Sequence, residues 1–131
     1  MYPVTWFSIP AQDTKKVAAF YNSAFGWELQ SLTKEDSSDF DYNIALTAES
    51  DDNFDPRERA RINGCIVKKA TGITMPVVLI EVERLDEAAR KVKAAGGKVV
   101  SEEIPMKSLD GAFFLALDPE GNMMEVFAKN R

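Results

Sequence analysis

The sequence feature that most constrains the fold of this chain is an internal repeat. The segments 4–9 and 77–82 are rich in β-branched and other apolar residues, which is typical of short strands. Each segment is followed by apolar residues at helical spacing, and the two helix patterns end at Gly26 and Gly96. Asp13 precedes the first helix pattern, where its side chain can accept from the free amides of the first turn. A strand followed by a helix is therefore predicted twice.

One alignment without gaps relates the two copies. Placing the run 24–26 on 95–97 sets a sequence offset of 71 (95 − 24). The same offset aligns the two first strands and places 44–46 on 115–117, and both of these runs have a strand pattern. Because three elements coincide in one register, the sequence predicts two β-α-β-β-β units.

The two copies differ before their last strands, which are predicted at 62–68 and 123–128. Aligning these strands gives a smaller offset of 60 (126 − 66), so the first copy carries an insertion whose length is the difference between the two offsets (71 − 60). The insertion falls within 49–61, which is polar and charged and has no apolar period. It is interpreted either as a solvated loop or as a mobile lid, and the sequence does not decide between them.

The length of 131 residues suits one domain with one sizeable core. Hydrophobic residues make up 45% and charged residues 28% of the chain, which is an ordinary globular balance. We therefore expect a single α+β domain over 1–131, with unit one at about 1–69 and unit two at about 75–131.

Charge and cysteine content restrict the partners and the location. With 16 basic and 21 acidic residues, the net charge of −5 would repel phosphate backbones, so nucleic acid is excluded as a partner. No signal sequence and no apolar run long enough for a membrane span are recognised. Cys65 is the only cysteine and cannot form an intrachain disulfide, so a cytoplasmic location is expected.

The chain contains no histidine, so histidine-based acid–base or triad chemistry is excluded. Without a histidine, neither Ser8 nor Cys65 has the usual partner that activates a hydroxyl or thiol nucleophile. Cys65 is interpreted first as a small buried apolar residue.

Several motifs along the repeat resemble the vicinal oxygen chelate superfamily, which includes glyoxalase I, bleomycin-resistance proteins and extradiol dioxygenases. These motifs are the runs 6–10 with Asp13, 19–21 (Ala-Phe-Tyr), 25–27 (Phe-Gly-Trp) and 118–125 (Asp-Pro-Glu-Gly-Asn-Met-Met-Glu). The resemblance implies that the two units curl into an open, incompletely closed mixed β-barrel with a central cleft. It also implies a homodimer.

Metal-dependent members of that superfamily bind a divalent ion through His, Glu or Gln side chains in the first and last strands of each unit. Carried over to this sequence, these positions fall at Trp6, Cys65, Val77 and Glu125, and only Glu125 matches the family pattern. An indole and a valine offer no lone pair, and a catalytic site normally needs about three protein ligands. We therefore expect no metal and no other cofactor.

Strand alternation predicts which side chains line the cleft together with Glu125, since residues two apart share a face. These side chains are Trp6, Ser8, Asn63, Cys65, Leu79, Met123 and Phe127. Such a mainly apolar and aromatic lining with a few polar groups is typical of small-molecule sites. Trp6 is interpreted either as core filling or as a stacking wall, and Glu81 as a rim residue.

The leading hypothesis is a metal-independent protein that binds a small, aromatic or cationic molecule, with Trp6 and Phe127 stacking on it. The alternative is a metal-independent isomerase or lyase in which Glu125 is the general base, so whether the chain is an enzyme stays open. Desolvation of Glu125 would raise its pKa and make it a useful acid–base group. If Glu125 has no such role, it is a carboxylate left over from a metal-binding ancestor and paired with a basic residue. A third possibility is an assembly subunit with a filled cleft.

Overall fold

The computed structural model describes residues 1–32 and 42–130. Within them the chain forms two helices and nine strands. The helices are α1 (Thr14–Phe25) and α2 (Leu85–Ala94), and the strands are β1 (Val4–Ala11), β2 (Glu28–Ser31), β3 (Tyr42–Leu46), β4 (Asn63–Lys68), β5 (Val77–Glu81), β6 (Lys98–Val99), β7 (Ile104–Met106), β8 (Gly111–Leu117) and β9 (Met123–Lys129).

The strands form one mixed sheet in the order β2-β3-β4-β1-β5-β9-β8-β6, with β7 also paired to β8. In unit one the first strand lies parallel to the last (β1 and β4), and unit two repeats this with β5 and β9. The units join through the antiparallel pair β1 and β5. The predicted α+β fold of two β-α-β-β-β units in an open, curled barrel is confirmed, and β7 is a short strand that the repeat did not predict.

The strand register agrees with both repeat offsets. Ser8 lies beside Cys65 in the parallel pair of unit one, and Leu79 lies beside Glu125 in that of unit two. The sequence separation is 57 in the first pair (65 − 8) and 46 in the second (125 − 79). The two separations differ by 11 residues (57 − 46), which equals the length of the insertion deduced from the sequence (71 − 60).

The first strand is longer than the segment 4–9 predicted from the sequence, because β1 continues to Ala11. Its pairing with β5 covers Val4 to Ser8 only, whereas its pairing with β4 extends to the end of the strand. Pro10 therefore has a neighbouring strand on one side, which is an edge-like position where the missing amide hydrogen is tolerated.

The first helix has the caps that its sequence predicts. The Asp13 side chain accepts from the Lys16 amide at 3.0 Å, and Gly26 ends the helix in the left-handed region with φ of 73°. The helix nevertheless contains no fully buried residue, and Phe20 and Phe25 are more than half exposed. By contrast, α2 buries Ala88 and packs with its neighbours on Phe114, Ala116 and Val126.

The main core fills the inside of the curled sheet. It contains side chains from both units, including Trp6, Ile44, Leu79, Phe113 and Phe127. Inward-facing residues alternate with outward-facing ones along each strand, so the sheet itself brings the predicted cleft residues together. No helix within 1–32 and 42–130 is long and apolar enough to cross a membrane.

Candidate functional site

The predicted cleft residues all come from the inner face of four central strands. Seven of them are buried, and Met123 is partly buried against the same core; the buried ones are Trp6, Ser8, Asn63, Cys65, Leu79, Glu125 and Phe127. The structure thus brings them into one region, although they do not all face the same space. Whether they bind a ligand stays a prediction.

Ser8, Cys65 and Glu125 form a chain of hydrogen bonds inside the barrel. The Ser8 hydroxyl donates to Glu125 Oε1 at 2.5 Å, and Ser8 Oγ lies 3.2 Å from Cys65 Sγ. When Glu125 is ionised, the serine proton is directed to the carboxylate and the thiol of Cys65 can donate to Ser8 Oγ. Each of the three side chains is about 1% exposed. The chain of donors therefore ends on a buried carboxylate.

Burial raises the pKa of Glu125 from 4.5 to about 7, and the hydrogen bond from Ser8 opposes this rise. Within 1–32 and 42–130, no basic residue forms an ion pair with Glu125. These residues therefore do not provide the partner that the ancestral-carboxylate alternative requires. Glu125 is therefore a carboxyl group that can gain or lose a proton near neutral pH.

Cys65 has the properties of a buried thiol rather than a nucleophile. Desolvation and the nearby Glu125 charge raise its pKa from 9.0 to about 12, and contacts with Ser8 and Trp6 only partly oppose them. Since the thiolate is the reactive form, the Cys65 thiol is unreactive in the folded protein. This agrees with its interpretation as a small core residue.

The indole N–H of Trp6 is a buried donor without a hydrogen-bond partner among the described residues. It is still close enough to Cys65 to lower the pKa of that thiol. A buried unsatisfied donor costs about 1–3 kcal/mol and is often found at functional sites. The same residue also lines a cavity at the end of the barrel.

Asn63 anchors the loop inserted in unit one. Its side-chain nitrogen donates to Ser50 Oγ at 2.7 Å and to the carbonyl oxygen of Phe54 at 2.8 Å, and its side-chain oxygen accepts from the Thr47 amide at 2.9 Å. These bonds use both amide hydrogens and one oxygen lone pair. Asn63 thus holds the inserted loop 49–61 in place against β4.

A cavity of about 240 Å³ opens between this loop and the turn before β8, and we call it the barrel-end cavity. Trp6, Leu79 and Phe127 are the buried residues of its wall and form its floor. The remaining wall consists of Thr5, Glu81, Lys129 and the segments 53–56 and 108–110. Ser8, Cys65 and Glu125 are absent from this wall, so the buried carboxylate does not line the cavity.

The family of the chain follows from a comparison with known protein families. A model of the Glyoxalase/Bleomycin resistance protein/Dioxygenase superfamily matches residues 4–126. The chain belongs to this superfamily. The resemblance found in its motifs is therefore confirmed.

This glyoxalase-superfamily chain is similar to a probable chloroplastic lactoylglutathione lyase of Arabidopsis thaliana, with 25% identity over 128 residues. The match covers 98% of the chain but 36% of that relative, so the chain spans about a third of its length.

Solved structures of methylmalonyl-CoA epimerase have the same fold. A Streptomyces coelicolor variant in complex with 2-nitronate-propionyl-CoA gives a TM-score of 0.66 at 12% identity, covering 98% of this chain and 97% of that one. The Mycobacterium tuberculosis enzyme gives 0.65 at 12%, covering 98% and 88%. At this identity the likeness shows the fold alone.

The inner-face side chains of this superfamily member do not fit a divalent metal ion. Of the four positions carried over from metal-dependent members, only Cys65 and Glu125 have a ligating atom, and the Cys65 thiol is held protonated. Among the residues that the structure describes, no three His, Cys, Asp or Glu side chains lie close enough to share an ion. We derive no chemistry from a metal.

Sequence reasoning missed much of the wall of the barrel-end cavity. Thr5, Lys129 and the turn 108–110 were not predicted, and Glu81 was expected only at the rim. The one available signal was the inserted loop 49–61, which was considered as a lid, and its segment 53–56 forms one side of the cavity. The other wall residues meet through long-range pairing, which a local pattern does not report.

Proposed function

We propose that this glyoxalase-superfamily protein binds a small molecule in the barrel-end cavity. The observation that carries the proposal is the cavity itself, with a floor of Trp6, Leu79 and Phe127 and a mostly polar remaining wall. An apolar floor with a few polar groups is the usual composition of a ligand site. Asn63 supports the site because it holds the loop that forms one wall.

A thermal-shift screen of metabolites and antibiotics tests this function, since a ligand that binds only the native state raises its melting temperature. We expect hits whose effect is lost when Phe127 is replaced by Ala, and kept when Phe114 is replaced by Leu in the separate core beneath α2. Hits that are insensitive to Phe127→Ala would place binding elsewhere and refute the proposal.

The alternative function is a metal-independent isomerase or lyase with Glu125 as general base. The observation in its favour is the pKa of Glu125 near 7, which suits proton transfer at neutral pH. The similarity to a probable lactoylglutathione lyase also supports it. Against it, Glu125 is 1% exposed and does not line the cavity, so a substrate bound in the cavity would not reach it without a rearrangement of the core. Loss of turnover with retained binding in Glu125→Gln would establish this alternative.

We also propose a homodimer, formed through an exposed apolar groove on the outer face of the β1–β5 junction. Phe7 and Ile9 point to this face, as strand alternation predicts. They line the groove together with Trp27, Thr47, 60–62 and 76–78, and its volume is about 540 Å³. Exposed apolar surface of this kind is typical of protein interfaces. Light scattering after gel filtration should give twice the 14.6 kDa chain mass, and Val78→Glu should give the monomer.

The cytoplasm is the proposed location, because the single buried thiol needs no oxidising compartment. Fractionation of cells that produce the tagged chain would test it. Recovery of the chain from a secreted fraction would contradict it.

A further inference from the structure

We infer that the ligand of the barrel-end cavity carries a positively charged nitrogen group next to a planar or apolar body. This inference rests on the proposed binding function and specifies the class of ligand. It follows from the charges of the cavity wall, from their lack of partners and from the aromatic surfaces beside them.

The wall of the cavity carries more negative than positive charge. Three carboxylates, those of Asp55, Glu81 and Asp110, face one ammonium group, that of Lys129. The net charge of the wall is therefore −2 (1 − 3). None of these four groups forms an ion pair with another described residue. Their charge is thus not neutralised within the described chain.

The carboxylates keep most of their hydrogen-bonding capacity for a ligand. Glu81 accepts one bond, from Thr5 Oγ1 at 3.3 Å, and Asp110 accepts one from Asn130 Nδ2 at 3.2 Å. An ionised carboxylate can accept about four hydrogen bonds, so both groups can take further donors. Glu81 is also half-buried, where an attraction between opposite charges is screened less than at a fully exposed site.

Aromatic residues complete the recognition of such a ligand. The cavity wall includes the rings of Trp6, Phe54 and Phe127, with Trp6 and Phe127 buried in the floor. The faces of these rings attract cations, and their area favours a planar apolar group. The same wall disfavours polyanions. A CoA ester such as the ligand of the solved epimerase structures would bring phosphate groups towards three carboxylates.

Three probes of one shape and different charge test this inference: benzamidine, benzamide and benzoate. Binding can be followed by NMR through the indole N–H resonance of Trp6, assigned with a Trp27→Phe variant because the chain has two tryptophans. We expect benzamidine to bind at least about fivefold more tightly than benzamide, as one contact of about 1 kcal/mol would give. Benzoate should bind most weakly.

Neutralising the wall should remove this preference. Glu81→Gln and, separately, Asp110→Asn should each reduce the ratio of benzamidine to benzamide affinity, whereas Glu83→Gln, outside the cavity wall, should leave it unchanged. The two variants lie in different elements, so a folding defect in one leaves the other as a test.

The possible failures are distinguishable. Binding of benzamide or benzoate as tight as that of benzamidine would overturn the charge preference and leave ligand binding in the cavity intact. If none of the three probes shifts the Trp6 resonance at concentrations up to about 10 mM, the proposed binding function fails with it.

Discussion

Replacing Glu125 by Gln tests the buried chain of hydrogen bonds most directly. The carboxyl group is about 1% exposed, accepts one hydrogen bond from Ser8 and has a pKa raised from 4.5 to about 7. An amide in its place has nearly the same shape, stays neutral at every pH and can still accept from Ser8 through its oxygen. The substitution therefore removes the titration and keeps the packing.

The folded protein holds the Glu125 proton more tightly than the unfolded chain does, because the folded pKa is the higher one. Between pH 4.5 and about 7 the unfolded state consequently loses its proton first, and the free energy of unfolding falls as the pH rises. Each tenfold change in proton affinity corresponds to about 1.4 kcal/mol. The rise of the pKa from 4.5 to about 7 therefore contributes about 3 kcal/mol to the free energy of unfolding. This stability is present below pH 4.5 and is lost above about pH 7.

Urea unfolding at pH 5 and pH 8, followed by tryptophan fluorescence, measures this difference. We expect the stability of Glu125→Gln relative to the unmodified protein to be about 2–3 kcal/mol greater at pH 8 than at pH 5. Glu120→Gln, in an exposed turn, should leave the pH dependence unchanged. Cys65, whose pKa is raised by burial and by the Glu125 charge, stays protonated in this window. Parallel pH profiles for both proteins, or an opposite sign, would refute the reasoning.

Three further predictions concern groups around the site. Cys65 should resist iodoacetamide in the native protein and react fully in urea, because its pKa is about 12 and it is buried; rapid native labelling, read by mass spectrometry, would contradict this. Gly64→Ala should lower the free energy of unfolding by about 2–3 kcal/mol, since the added Cβ would lie 2.5 Å from the ring of Phe7; an unchanged urea midpoint would count against it. Asn63→Ala should cost about 2 kcal/mol and speed tryptic cleavage within 49–61, and equal cleavage rates would show that the anchor is unimportant.

Much of the fold was predictable because strands and helices leave local periodic patterns in sequence. The two offsets matched the register of Ser8 with Cys65 and of Leu79 with Glu125. The exposure of α1 was not predictable, because its apolar pattern resembles that of a helix packed on a core. Whether such a face is covered depends on what lies opposite it in the folded protein.

The sequence predicted which side chains share the inner face of the sheet, but it did not predict most of the wall of the barrel-end cavity. Alternation placed Trp6, Ser8 and Glu125 on one face of the sheet, and burial confirms that face. Alternation could not show that Ser8 would donate to Glu125, or that this pair would not line the cavity.

The sequence by itself thus determined the repeated architecture, its insertion and the absence of histidine chemistry, since periodicity and composition are properties of the linear chain. Only the tertiary structure decided that Glu125 has no cationic partner among the described residues and that three carboxylates surround the barrel-end cavity. The physical reason is that desolvation and electrostatic attraction depend on distance in space. Residues such as Ser8 and Glu125, 117 positions apart, become neighbours only when β1 and β9 pair on either side of β5.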